Sequence, residues 1–261
     1  MLRIFLVTQN ERLFMPNAIA HVCEQLREWI VCIVTAPALS THGGRVKGLL
    51  RHLRFFGLTN SVRMAWRVGA AAVRDKLTTC SPDGSFWSVA AVAAAYGIPY
   101  RHVRRLRGPQ FQAVLDSYPA DVIVSMSCPQ IIGRRVRRRF PAGALNVHGA
   151  PLPRYRGLMP AFWAMLNGET ETAVTVHFMA DKADAGDIVL QRPVPIDSGD
   201  AWDTLVRKSK AAGAQALVDA VRAIADGGAA VHPNPEAEAT YFSFPTAADR
   251  KAFLKAGRRF F

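Results

Sequence analysis

The strongest constraint on this chain is an alternation. Short apolar, β-branched runs are separated by segments whose apolar residues recur at helical spacing. Leu2 to Thr8 is such a run and ends in the polar loop Gln9-Asn10-Glu11-Arg12. Asn17 to Glu28 carries Ile19, Val22, Cys23 and Leu26 at helical spacing, and Trp29 to Ala36 is again nearly continuous in apolar residues. The rhythm returns with Ala90 to Tyr96 as helix, Ile98 to Val103 as strand, Phe111 to Ser117 as helix and Asp121 to Met126 as strand. After a basic helix, Ala144 to Val147 is a further strand. Strands covered on both faces read as continuous apolar runs, and helical crossovers join parallel neighbours. The chain is therefore expected to be α/β, a doubly wound, mostly parallel, Rossmann-like sheet flanked by helices. Ligands of such sheets sit outside the carboxyl ends of the strands.

Thr172 to Met179 and Ile188 to Val194 read as an antiparallel pair finishing the sheet. Asp200 is expected to cap a long amphipathic helix over Ala201 to Ala225 that stops at Gly227-Gly228, and Thr246 a last helix over Ala247 to Ala256. This organisation gives one α/β unit over residues 1–195 and a helical extension over 196–261. Residues 45–76 break the rhythm. Val46, Leu49, Leu50, Leu53 and Phe56 recur at helical spacing among Lys47, Arg51 and Arg54, and Val62, Ala65, Trp66 and Val73 suggest a second helix after Gly57. We read this basic insertion as packing its apolar stripe on the domain with arginines facing water. A membrane-surface or substrate-capturing role is the second reading.

Composition matters mainly through charge. The 261 residues are 50% hydrophobic and 20% charged, which excludes a mostly disordered chain. The net charge of +13 lies wholly in residues 1–140, with 20 Lys and Arg against seven Asp and Glu; residues 141–261 hold 13 of each. Nucleic acid, an acidic membrane surface and a phosphorylated substrate all remain possible partners of such a half. Cys23, Cys32, Cys80 and Cys128 form no C-x-x-C pair, so reduced thiols are expected and neither a zinc site nor a disulfide framework. No apolar run approaches ~18 residues, and a cytoplasmic protein is expected.

The chemically informative stretch is Ala144-Leu-Asn-Val-His-Gly-Ala-Pro-Leu-Pro-Arg-Tyr-Arg-Gly157. Asn146 and His148 are two apart on an expected strand, so an amide donor and an imidazole share one face. Asp184 lies in a second polar stretch, Asp181-Lys-Ala-Asp-Ala-Gly-Asp187. Taken alone, each has a bland alternative as a structural histidine or a turn-forming aspartate.

Together with Asn167-Gly-Glu and Val174-Thr-Val-His-Phe-Met, these motifs resemble the N10-formyltetrahydrofolate-dependent formyltransferase family, from about Asp121 to Val194. The family's Asn-x-His and later Asp fall on Asn146, His148 and Asp184. The resemblance implies transfer of a formyl group from N10-formyltetrahydrofolate to a primary amine. Asn146 and protonated His148 would donate to the oxyanion, and Asp184 would favour the imidazolium and help move the amine proton. It also implies that the folate ring lies against Gln130, Ile131 and Ile132 and against Met179, Ala180 and Asp181. Ser125-Met-Ser-Cys-Pro-Gln departs from the family's more apolar, glycine-containing run, whereas Pro153 keeps its place, with a cis Leu152–Pro153 bond implied.

For the acceptor, the loop Thr8-Gln-Asn-Glu-Arg-Leu-Phe lacks the glycines of the purine-pathway members, which disfavours a ribose phosphate. About 67 residues follow Val194, where initiator-tRNA members carry a barrel domain of roughly a hundred, so charged tRNA is disfavoured but kept by the basic first half. The expected acceptor is a small, anionic amine such as a nucleotide-linked amino sugar, with Gln9, Asn10, Arg12, Arg154 and Arg156 as candidate contacts. The non-enzymatic alternative is a basic nucleic-acid-binding α/β module.

Overall fold

The structure, a computed structural model, describes residues 1–37, 44–78 and 84–261. Cys80 lies outside the described residues. The first elements are β1 (Ile4–Gln9), α1 (Met15–Leu26), β2 (Ile30–Ala36), α2 (Gly44–Leu77), α3 (Val89–Ala95), β3 (Tyr100–His102), α4 (Pro109–Ser117) and β4 (Val122–Met126). There follow α5 (Arg134–Arg137), β5 (Ala144–His148), β6 (Arg156–Gly157), α6 (Pro160–Leu166), β7 (Glu171–Phe178) and β8 (Ile188–Pro195). The chain ends with α7 (Trp202–Ala225), β9 (Tyr241–Phe242) and α8 (Ala247–Lys255).

Seven strands form one sheet in the order β3-β2-β1-β4-β5-β7-β8. The first five are parallel, and β7 and β8 close the sheet as the expected antiparallel pair. The order reverses between β1 and β4, so their carboxyl ends open a crevice at Gln9 and Ser127, where such sheets take ligands. β6 and β9 pair separately, joining the loop after β5 to the segment before α8.

The two sheet faces are covered unequally. One carries a continuous apolar layer: Ile4, Leu6, Val122, Val124, Met126, Leu145, Val147, Val174 and Val176 lie under α1, α3, α6 and α7. α7 crosses so closely that a Cβ on Gly213 would meet Val147 Cγ1 at 3.0 Å. The other layer, built on Phe5, Val7, Cys32, Val34 and Ile123 beneath Phe111, Leu115, Val136 and Phe140, ends at Ala144. Burial in these layers pushes the Cys23 and Cys32 thiols up to about 12, which keeps them protonated.

Helix ends follow local chemistry. The Glu11 carboxylate accepts from the N–H groups of Leu13, Phe14 and Met15, satisfying the free donors at the start of α1. Thr246 and Asp249 cap α8 reciprocally, as expected for Thr246. Asp200 does not cap α7. The N-cap is Ala201, and the Asp200 carboxylate instead accepts from Asp197 N–H and Lys208 Nζ.

The insertion differs from the expectation. α2 breaks at Gly57, whose φ of 75° suits glycine. Before the break, Phe55 and Phe56 enter an aromatic cluster with Phe162, Trp202 and Phe260. After it, the expected stripe does not pack: Val62, Trp66 and Val73 are 60%, 70% and 58% exposed. The body-facing side is held by Arg67 on Asp203 (2.9 Å), Asp75 on Arg12 (2.7 Å) and buried Ala71. Apolar periodicity marks one face of a helix; the polar ties decide which face docks.

Candidate active site

The site is built by period-two alternation on three neighbouring strands. Leu145, Val147, Val174 and Val176 point into the continuous apolar layer, so Asn146, His148, Thr175 and His177 point to the opposite face. Register places Asn146 opposite His177 and His148 opposite Thr175, with Ser125 of β4 beside Asn146. The apolar cover of that face ends here, and a polar cluster takes its place.

Asp184 enters this cluster from the loop after β7. Its Oδ1 faces Asn146 Nδ2 at 3.5 Å, His148 Nδ1 at 3.6 Å and His177 Nε2 at 3.7 Å, while Oδ2 accepts from Gly157 N–H at 3.0 Å. The structure thus brings Asn146, His148 and Asp184 together. It adds His177 and Ser125, which the sequence reading left without roles. A pair of polar side chains on adjoining strands is the signal, but cross-strand register is needed to read it.

The hydrogen bonds assign orientations. His177 Nδ1–H donates to the Phe178 carbonyl at 2.8 Å, leaving Nε2 to accept from Asn146 Nδ2 at 3.1 Å. That arrangement requires neutral His177, and burial lowers its pKa to about 4. Ser125 Oγ donates to Asn146 Oδ1, fixing the amide so that its N–H groups face His177 and Asp184. His148 Nε2–H donates to the Tyr155 carbonyl at 2.8 Å, so Nδ1 is the ring nitrogen turned toward Asp184. At 3.6 Å that nitrogen is not tied by a strong hydrogen bond.

The Asp184 loop is held from a distance. Asp184 has a φ of 54°, and Asn234 Nδ2 donates to the carbonyls of Asp184 (3.0 Å) and Gly186 (2.9 Å). Gly186 is pressed against the backbone; a Cβ there would lie 1.8 Å from Phe178 O. Arg156 in turn donates to the Asn234 carbonyl and side chain. Arg156 is 1% exposed and also paired to Glu236, so it is a tie between two segments and not an acceptor contact as expected. Arg12 is likewise engaged by Asp75 and the Trp87 carbonyl, and Arg154 by Glu169 at 3.5 Å. Gln9 and Asn10 stand at the exit of β1 beside the crevice. There Lys210 of α7 donates to Ser127 Oγ, and burial lowers its pKa while Glu11 opposes the shift. Lys210 is not legible in the sequence, because one lysine in an amphipathic helix carries no local signal.

The residues assigned to the folate ring divide. Gln130 spends its side chain on Pro37 O, Arg104 O and Leu106 N–H, and Ile132 is buried in the smaller apolar layer, whereas Ile131 is 87% exposed. Met179, Ala180 and Asp181 line a hollow of about 380 Å³ with Gly143, Ala144, Phe178 and three arginines. Arg137 donates to the Met179 carbonyl and the Asp181 carboxylate, holding this wall in place. The Leu152–Pro153 bond is cis, as the resemblance implies.

Several known proteins are similar to this chain. A methionyl-tRNA formyltransferase from Lactiplantibacillus plantarum is 33% identical over 169 residues, 64% of this chain and 51% of that protein. The chain spans about half the length of the curated relatives it matches. Two solved structures share the fold. Glycinamide ribonucleotide transformylase 1 from Symbiobacterium toebii has a TM-score of 0.60 at 19% identity, covering 90% of this chain and 95% of its own. An N-formyltransferase from Helicobacter canadensis has a TM-score of 0.57 at 16% identity, covering 93% and 71%. The formyl transferase family pattern matches residues 65–221, which include β5, the loop to Gly157 and Asp184; the chain belongs to that family.

Proposed function

We propose that the chain transfers a formyl group from N10-formyltetrahydrofolate to a primary amine on a small anionic acceptor, such as a nucleotide-linked amino sugar. The observation that carries this reading is the convergence of three nitrogens on one carboxylate oxygen, Asp184 Oδ1, at 3.5 to 3.7 Å. In this reading the catalytic unit is residues 1–195, and the extension over 196–261 supports it through Asn234. The wall of Met179, Ala180 and Asp181, with apolar Phe178 and backbone polar groups, suits a flat hydrogen-bonding ring. Bound folate supplies the electrophilic formyl carbon.

Attack by the amine puts negative charge on the formyl oxygen. Asn146 Nδ2 and, when the imidazole is doubly protonated, His148 Nδ1 donate to it, each worth a few kcal/mol when well placed, about 10² to 10³ in rate. Ser125 and neutral His177 keep Asn146 turned the right way. One C–N bond forms, one breaks, and a proton passes from the amine to the departing nitrogen. The His148 and Asp184 pair holds that proton in transit.

Two observations support a small acceptor over a ribose phosphate. Glu11 fills the N-terminus of α1 with the chain's own carboxylate, and the β1 exit loop has no glycine. Lys210 brings a cation to Ser127 at the crevice. The Helicobacter canadensis protein was crystallised with folinic acid and dTDP-3-aminofucose, an acceptor of the proposed class. Formylation of methionyl-tRNA is the second reading, favoured by the curated relatives and the basic first half.

The test is incubation with N10-formyltetrahydrofolate and a panel of amino-sugar nucleotides, charged initiator tRNA and simple amines, following release of tetrahydrofolate. Release with an amino-sugar nucleotide is expected. Release with tRNA alone transfers the assignment to the second reading, and no release with any acceptor overturns both.

A further inference from the structure

We propose that the outer face of α2 after Gly57 is a docking site for an anionic lipid bilayer. Leu58, Val62, Trp66, Val73 and Leu77 recur at intervals of four, four, seven and four residues, so they form one stripe along the helix. Each is open to solvent: 74%, 60%, 70%, 58% and 76% exposed. Thirteen large apolar residues are exposed among the described residues, and seven of them lie on α2. Scattered exposed apolar side chains are ordinary, whereas a continuous stripe marks a contact.

The helix is mounted with its apolar side outward. Its inner side is fastened by Arg67 to Asp203 and by Asp75 to Arg12 and Ser88, and its first part is anchored by Phe55 and Phe56 in the core. A helix fixed in this way does not turn its stripe inward.

Charge selects the occupant. Between Leu58 and Leu77 there are four Lys and Arg residues and one acidic residue, Asp75; Arg67 and Asp75 are paired to the body, which leaves Arg63, Arg74 and Lys76. Arg63 and Arg74 border the stripe on one side and Lys76 on the other. A second copy would bring two such basic helices face to face, and like charges oppose that pairing. RNA would meet the arginines but leave the aliphatic stripe wet, and Trp66 alone is not a stacking platform. An anionic bilayer satisfies both parts: the aliphatic side chains and Trp66 enter the interface while the basic rim meets lipid phosphates. Among the described residues no helix is long and apolar enough to cross a membrane, so the contact is one of lying on the surface. The proposal does not depend on the formyl-transfer reading, because its readout needs no acceptor.

The experiment is co-sedimentation of the full chain with vesicles of phosphatidylcholine carrying about one third phosphatidylglycerol, compared with phosphatidylcholine alone. Binding to the anionic vesicles is expected, with partition falling about tenfold or more in the double variant Val62→Ser with Trp66→Ser. Both positions are exposed, so an unchanged melting temperature verifies that the variant is folded. A Leu58→Ser with Leu77→Ser variant should lose partition in the same direction. The proposal is overturned if the anionic vesicles bind no protein, if both variants partition like the parent, or if the substitutions abolish dimerisation or RNA binding while vesicle binding persists.

Discussion

The two faces of the central sheet are made by the same strands and do opposite work. On one face Val124, Leu145, Val147, Val174 and Val176 join a continuous apolar layer under the helices. On the other, the residues between them, Ser125, Asn146, His148, Thr175 and His177, form a polar cluster where the smaller apolar layer stops. Buried polar groups persist there because each finds a partner: Thr175 Oγ1 donates to the Ala150 carbonyl, Ser125 to Asn146 and His148 to Tyr155. Under the proposed function, the contrast sets stability on one face and chemistry on the other, one residue apart.

The hardest test of that division is Asp184→Asn. The amide retains an oxygen for the Gly157 N–H but removes the charge facing Asn146, His148 and His177. Formyl transfer should fall about 10³-fold with folate binding largely intact. Turnover measured by tetrahydrofolate release, beside folate affinity, checks it. Unchanged turnover would end the role of Asp184.

The reciprocal test is on the apolar face. Phe162 is fully buried, 4.7 Å from Phe253 and 5.2 Å from Phe55 between ring centroids. Phe162→Ala should cost about 3 to 5 kcal/mol in urea unfolding. Turnover per folded molecule should stay near the parent value, and a large loss in it would blur the division of labour between the faces.

How much of this was legible follows from which interactions are local. The strand and helix rhythm identified the sheet because burial imposes its period on neighbouring residues. Asn146 and His148 were legible for the same reason, being two apart on one strand. His177 was not, because its relation to Asn146 is a register across 31 residues. Asn234, 50 residues beyond Asp184, supports that loop through a contact that no local pattern encodes. α2 shows the complementary failure: its apolar period was plain, but the ion pairs to Asp203 and Arg12 turned that face to solvent.

His177 sharpens the comparison through pH. Its folded pKa is depressed to about 4, below the ordinary imidazole value of about 6.5. The unfolded chain therefore takes up this proton first on acidification. The stability held by neutral His177 is full above about pH 6.5 and is lost as pH falls toward 4, by up to about 3 kcal/mol. His177→Gln should flatten the stability curve in that window, measured by urea unfolding from pH 7 to pH 4. It should also slow transfer at neutral pH, since Asn146 loses the neutral acceptor that orients it. A parent curve with the same slope as the variant would show that His177 does not titrate there.

The smallest expected effects come from adjacent residues of β4, and they test the alternation most directly. Val124 points into the continuous layer and is fully buried; Ser125 points to the cluster and donates to Asn146. Val124→Ala removes methyl groups from a close-packed region, and about 1 to 2 kcal/mol of unfolding free energy should disappear with turnover retained. Ser125→Ala removes a hydroxyl and frees the Asn146 amide to rotate, so transfer should drop about tenfold, equivalent to about 1.4 kcal/mol, with folate affinity close to the parent. The paired measurement is a melt and a turnover number for each variant. Crossed results, with Val124→Ala slow and Ser125→Ala merely unstable, would mean that the faces share their burden, because the strand would then be transmitting packing defects into the position of Asn146.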